Sequence, residues 1–277
     1  MVTEVYGGKK RKAVSLLFDG WQETMVWSCL QGVMGTVYGT VSPEIPGEYR
    51  AAAAVLGDFI FLAGRPEKEL LAFLDENCRA EFRILVPRSG DWSEIILLYY
   101  GTRAKKVTRY AIKKEPDVFH REALLKAAES LPEGYSLCLM DRKLYEACRE
   151  HTWSRDLVSQ FETYEDYRRL GLGAVALYKG ELVSGASSYT SYEGGIEIEI
   201  DTRKDHRRRG LAFACGARLI LECLDRGLYP SWDAQNLWSV ALAEKLGYHF
   251  DHEYTAFEMT TLEKRRDLQN MQDRIRV

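Results

Sequence analysis

A chain of 277 residues with 46% hydrophobic and 29% charged residues has the composition of a soluble globular protein, long enough for one large domain or two small ones. Its formal net charge of −3 argues against a general nucleic-acid binder, which carries a clear basic excess. The six cysteines form no C-x-x-C pair, and no apolar stretch near the start suits a secretory signal or a membrane span. Reduced thiols and a cytoplasmic location are therefore expected. The basic run 9-KKRK-12 fits a nuclear or anionic-surface signal, and reads foremost as a solvated, frayed N-terminal segment.

Elements in the first half are weakly marked. Pro43, Pro46 and Gly47 break the chain before 50-RAAAAVLGDFIFLAG-64, where the alanine run predicts a short helix leading into a buried strand. Leu70, Leu71 and Leu74 give 67-EKELLAFLDENC-78 helical spacing. The apolar run 93-SEIILLYYG-101 predicts a strand, with 105-KKVTRYAIKK-114 as an alternating neighbour. An amphipathic helix follows at 119-FHREALLKAAESL-131, closed by Pro132 and Gly134. This half is mixed α/β and holds no chemical constellation.

From Tyr135 the pattern is regular. A strand at 135–140 leads to helical segments over 142–161 and 163–171. Strands at 172–178 and 181–190 are separated by Lys179 and Gly180, a two-residue hairpin signal. A third strand occupies about 196–202, and a helix covers about 211–226 before Gly227. A short strand at 229–233, a helix at 236–247 and an aromatic strand at 248–259 complete the unit, with a polar tail from 262. No internal sequence repeat is evident, and a degenerate structural duplication stays open.

The junction 206-HRRRGLAFACGARLILECLDRG-227 couples a strand end to a basic glycine turn and a helix N-terminus. The first helical turn has free N–H groups and the positive end of the dipole. Gly210 permits a backbone closed to other residues, and Ala212 leaves the next turn accessible. Backbone N–H groups from Arg208 through Leu211 to Ala212 could form an anion nest, with the side chains of Arg207, Arg208 and Arg209 adding charge. There is no G-x-x-x-x-G-K-[ST] and no G-x-G-x-x-G, which excludes the commonest nucleotide loops. On this segment alone, a basic surface loop remains an equal alternative.

The run R-R-R-G-L-A (207–212) fits Arg/Gln-x-x-G-x-Gly/Ala, and 236-NLWSVALAEKLGY-248 follows about two dozen residues later. The pair, in this order, resembles the GNAT superfamily of CoA-dependent N-acyltransferases over about residues 133–260. The phrase W-D-x-x-N-x-x-S-x-A-L-A-E-K-L-G-Y, from Trp232 to Tyr248, resembles a bacterial subgroup of that family with an additional N-terminal domain. The resemblance implies an α/β fold with a mixed sheet and splayed central strands over 131–262. It is preceded by a smaller mixed α/β domain at 1–130 that partly shapes the acceptor site, and followed by a tail at 263–277. It also implies acetyl-CoA as cosubstrate, no metal, and an amine acceptor on a small molecule or exposed chain. Arg207 to Ala212 would take the pyrophosphate, Ile200, Asp201 and Thr202 would pair with the pantetheine arm as an added strand, and Asn236 and Ser239 would touch CoA.

The implied reaction is attack of an amine on a thioester, which needs a proton acceptor. Glu197 and Glu199 share one strand face opposite Ile196, Ile198 and Ile200, and their mutual repulsion would raise one carboxyl toward the required range. Glu199 is favoured as the base. The tyrosine that many family members carry before E-K-x-G is Ala243 here, which leaves Tyr248, Tyr189 and Tyr192 as candidate acids, or release of CoA as a thiolate. Trp232 could line the cleft, and His206 could touch phosphate. His249 and His252 lie on opposite strand faces and make a poor metal pair. A catalytically weak CoA-binding regulator is the alternative reading. Neither nucleic acid nor membrane is expected as a partner, and a homodimer is left open.

Overall fold

The computed structural model describes residues 1–260 apart from 46, 79 and 81, so the polar tail expected at 263–277 lies outside the described residues. The described residues form two compact units, one of residues 1–108 completed by residues 254–260, the other of residues 109–253.

The first unit begins with β1 (Val2–Glu4), α1 (Gly8–Ser15), α2 (Thr24–Gln31), β2 (Thr36–Val41), β3 (Tyr49–Leu56) and β4 (Phe59–Gly64). It continues through α3 (Lys68–Asn77), β5 (Phe82–Pro87), α4 (Gly90–Tyr100) and the start of β6 (Ala104–Ile112). β1 to β4 are antiparallel neighbours, and β5 lies parallel to β4.

Two sequence expectations fail here. The alanine run forms strand β3, not a helix: Ala51 to Ala54 are wholly buried and pair with both β2 and β4. Alanine's helix preference is worth only tenths of a kcal/mol per residue, roughly, and pairing on both strand edges outweighs it. The stretch 93–100 lies in helix α4, which Gly101 closes, and is not a strand. The Ser89 hydroxyl caps the helix by accepting from the Trp92 N–H, and Trp92, Ile96 and Tyr100 bury one face at spacing four. The strand reading overlooked a cap that lies upstream of the apolar run.

The second unit holds α5 (Arg121–Ala128), β7 (Tyr135–Leu139), α6 (Arg142–Glu150), α7 (Tyr164–Leu170), β8 (Gly173–Tyr178), β9 (Glu181–Tyr192) and β10 (Gly195–Thr202). After it come α8 (Leu211–Asp225), β11 (Tyr229–Ser231), β12 (Asp233–Ala234), α9 (Leu237–Lys245) and the start of β13 (Phe250–Thr260). Its five-stranded sheet runs β11-β10-β9-β8-β7, antiparallel except for the parallel pair β10 and β11. The hairpin at Lys179 and Gly180 has φ of 51° and 85°, as a primed two-residue turn requires. α8 buries Leu211, Cys215, Leu219 and Ile220 in one cluster with Ala174, Ala186, Ile196 and Ile198. The isoleucine face of β10 therefore lies in this core, and the face carrying Glu197, Glu199 and Asp201 is the opposite one.

Both units follow one element order: four antiparallel strands, a helix, a parallel strand and a further helix. In the second unit β12 pairs with residues 110–111 of β6, and in the first unit β5 pairs with residues 257–260 of β13. All six cysteines are free thiols.

Candidate active site

The turn between β10 and α8 has a conformation that few sequences allow. Arg208 has φ of 60° and Gly210 φ of 79°, two left-handed residues on either side of Arg209. A non-glycine residue there is uncommon and marks a constrained turn. A Cβ added at Gly210 would meet nothing within 4 Å, so the turn faces open space. The first hydrogen bond of α8 runs from the Ala214 N–H to the Gly210 carbonyl, which leaves the N–H groups of Leu211, Ala212 and Phe213 ahead of the ladder. Together these form a backbone anion cradle.

The basic side chains mostly build the cradle. Arg207 Nε donates to the Thr202 carbonyl at 3.0 Å, and Arg209 Nη2 donates to the Asp205 carbonyl at 3.4 Å. Arg208 is exposed. His206 is buried, not open to a ligand: its Nδ1 lies 2.8 Å from the Tyr135 hydroxyl, and Arg203 Nη2 donates to its Nε2 at 2.8 Å. It therefore anchors the turn to β7.

β10 and β11 separate just above this turn. They pair only at Gly195–Tyr229, Ile196–Pro230 and Glu197–Ser231. Trp232 then interrupts the strand, and β12 joins β6 through Asp233–Ala111 and Ala234–Tyr110. From Ile198 to Thr202, β10 pairs on its β9 side only, at Ser188 to Ser184. Ile200, Asp201 and Thr202 thus lie along an unpaired strand edge, bounded at its far end by the cradle. The Thr202 side chain is held by Ser184, Oγ1 to Oγ at 2.7 Å.

The carboxylate face is acidic, though the neighbours differ from those the sequence suggests. Burial raises the Glu199 carboxyl to about 8, and the charges that add to this are Asp201 on the same strand and Asp156 in the turn 155–157. Arg109 and the Ile200 backbone N–H oppose the rise. Asp201 is raised to about 6, by burial first and then by Asp156, against the pull of the Thr202 N–H and of Arg207. Glu197 is buried opposite Thr190 and Ser231 at the apex of the gap, where its charge acts on Tyr192, Tyr229 and Tyr248. Glu199 and Asp201 are the two titratable groups along the open part of β10, and Glu199 is the more strongly raised.

Asn236 caps α9, its Oδ1 accepting from the Ser239 N–H at 3.0 Å, while Ser239 Oγ accepts from Trp232 Nε1 at 3.0 Å. These residues fix the end of β11 to the first turn of α9. Ala243 faces the core. Tyr248 is buried and donates to the Pro230 carbonyl at 2.7 Å, and burial pushes its hydroxyl well up. Tyr192 lies 3.0 Å from Ser231 Oγ and is raised in the same way. Tyr189 is buried too. All three are packed within the fold.

Two charged residues of the site are invisible to motif reading. Asp156 sits in an irregular turn, and Arg109 comes from the weakly marked first half. Arg109 is nine-tenths buried, and its Nε and Nη2 both donate to Asp233 Oδ1, the former at 2.8 Å. Only the partner, in the phrase W-D-x-x-N, gave any signal. Among the described residues no group of three or more metal-ligating side chains occurs, and no helix is long and apolar enough to cross a membrane.

The sequence matches the GNAT acetyltransferase family across residues 15–257. It is 27% identical over 266 residues to YdfB, an uncharacterized N-acetyltransferase of Bacillus subtilis strain 168, which spans 90% of this chain and 95% of that one. The crystal structure of a GCN5-related N-acetyltransferase-like protein from Streptococcus suis 89/1591 is 48% identical, with a TM-score of 0.84 over 91% of this chain and 98% of that one. A GCN5-related N-acetyltransferase from Sphaerobacter thermophilus, at 16% identity and a TM-score of 0.56, covers 94% and 95% of the two chains and shares the fold. The parted strands, the anion turn and these likenesses agree: the chain belongs to the GNAT acetyltransferase family and is an N-acetyltransferase.

Proposed function

We propose that this N-acetyltransferase moves an acetyl group from acetyl-CoA to a primary amine by direct attack on the thioester. The observation that carries the reading is the end of β10–β11 pairing at Glu197 and Ser231, on the strand that leads into a turn open at Gly210. The left-handed backbone at Arg208 and Gly210 and the leading N–H groups of α8 suit a diphosphate, and the free edge of Ile200 to Thr202 suits an amide-rich arm. Arg207 and Arg209 shape that turn, and Arg208 adds charge beside it. Asn236 and Ser239 hold the opposite wall through their cap and their bond to Trp232.

Acetyl-CoA supplies an already activated acyl group, so the protein's task is largely placement and proton removal. Glu199 is assigned as the base. A carboxyl near 8 holds a proton far more tightly than an ordinary glutamate, which narrows the gap to an attacking amine. Asp201 and Asp156 give the same face a negative field that suits an acceptor arriving as an ammonium ion. Glu197 orients the apex from its buried position. With Ala243 at the usual tyrosine position and Tyr192 and Tyr248 engaged inside the fold, CoA leaves as the thiolate and takes its proton from solvent. A CoA-binding regulator, the alternative, is not favoured by the relatives.

The test is to supply acetyl-CoA and a panel of primary amines and to follow free thiol. Amine-dependent thiol release is expected. Tight CoA binding with no release on any amine would remove the enzymatic reading, and no CoA binding would remove the cradle.

A further inference from the structure

The gap between β10 and β12 needs a cause, since a strand that has begun to pair in parallel gains hydrogen bonds by continuing. At Trp232 the chain gives up β10 and takes β6 as its partner, and Asp233 is the first residue on the new side. Arg109, one residue before the paired Tyr110, grips the Asp233 carboxylate with two guanidinium nitrogens. Both side chains are about nine-tenths buried, so their attraction acts at low dielectric and neither can turn to water as a substitute partner.

We propose that the Arg109–Asp233 pair is the positioning device of the acyl-CoA site: it fastens β12 to β6, keeps β12 off the β10 edge, and sets the Arg109 charge beside the Glu199 carboxylate. This rests on the reading that the free edge takes the pantetheine arm and that Glu199 is the base. Arg109 acts through β12 and Glu199, so it is a positioning residue. Three independent features meet in it. The strand changes partner at Trp232 and Asp233, the two-nitrogen contact fixes β12 in register, and Arg109 is a positive charge acting on Glu199. Among the described residues, the other groups acting most on Glu199 are Asp201 from its own strand, Asp156 from the turn 155–157, and the Ile200 N–H. Arg109 thus works against two carboxylates and burial together.

The experiment uses the full chain and CoA itself as probe. Affinity is measured by calorimetry, and the Glu199 carboxyl is titrated by carbon NMR, its signal identified by loss in Glu199→Gln. Wild type should bind CoA, and Gly210→Glu should not; if either fails, the reading of the site falls before any Arg109 variant is compared. With both satisfied, Arg109→Met should weaken CoA by about tenfold or more and move the Glu199 midpoint upward. Arg109→Lys keeps the charge but not the two-nitrogen contact, so affinity should fall while the midpoint stays near that of wild type. If Arg109→Met does not fold, Arg109→Lys carries the test by itself. A lowered melting temperature with both CoA affinity and the Glu199 midpoint unchanged would overturn the proposal, because a merely structural ion pair predicts that outcome.

Discussion

Glu197 and Ser231 are the last residues that join β10 to β11, and beyond them the two strands take different partners. That single register pair divides the strand in two. Glu197 lies on the closed side and is buried, while Glu199 lies beside the open edge. The two glutamates share a strand face and have different surroundings, and they should respond differently to substitution.

Glu199→Gln should slow acetyl transfer by about 10²-fold or more, in keeping with loss of a general base, and should leave CoA affinity nearly unchanged. Transfer in wild type should rise with pH through a midpoint of about 8, since the base works only when ionised. That limb should be absent in Glu199→Gln. Rates across pH 6 to 9.5, measured with any amine that turns over, check both outcomes; a limb that persists in the variant would move the base elsewhere.

Folding stability should fall as pH rises. Glu199 is raised from 4.5 to about 8 and Asp201 from 3.8 to about 6, so the folded state binds more protons than the unfolded chain between these values. The slope of unfolding free energy with pH is then negative, with stability fully present below about 4 and lost through 8, on the order of a few kcal/mol in total. Other carboxylates with the opposite shift, such as Asp205, contribute below this window. Thermal melts at pH 6 and pH 8.5 should show the higher Tm at pH 6, and Glu199→Gln should reduce the difference.

Gly210 offers a substitution that separates strain from blockage. Its φ of 79° disfavours any side chain, and a Cβ there meets no neighbour. Gly210→Ala should cost about 1 kcal/mol of stability through backbone strain alone. Gly210→Glu should cost about the same and abolish CoA binding by placing a carboxylate in the cradle. Calorimetry with CoA beside a urea melt distinguishes the two, and undiminished binding in the glutamate variant would relocate the phosphate site.

Tyr248→Phe should behave as a core substitution. It removes the hydrogen bond to the Pro230 carbonyl and leaves that buried acceptor without its donor, a loss of about 1–3 kcal/mol. Transfer at saturating substrate should stay within about threefold of wild type, because no step depends on that hydroxyl. A collapse in kcat without loss of stability would reinstate it as the acid.

Much of the second unit could be read locally. The isoleucine alternation of β10 and the Lys179–Gly180 hairpin are each set by a few adjacent residues, and each appears at its expected place. The three arginines of the turn are legible as a cluster, but that Arg207 and Arg209 serve as scaffolding is not, because their bonds to the Thr202 and Asp205 carbonyls need the folded turn with its left-handed Arg208. In the first unit local preference misled. Ala51 to Ala54 would suit a helix, and only the pairing with β2 and β4 makes them a strand. Residues 93–100 would suit a strand, and only the Ser89 cap and the burial of Trp92, Ile96 and Tyr100 make them a helix.

The sequence by itself determined the order of the core elements of the second unit, the glycine that opens the anion turn and the strand face that carries the carboxylates. Those follow from periodicity and from the backbone freedom of single residues, which are short-range properties. Tertiary structure alone decided where β10 and β11 part, which charges surround Glu199, and that Arg109 reaches Asp233 across 124 positions of chain. These depend on which strand edges and buried charges meet after folding, and a linear pattern carries no record of such meetings.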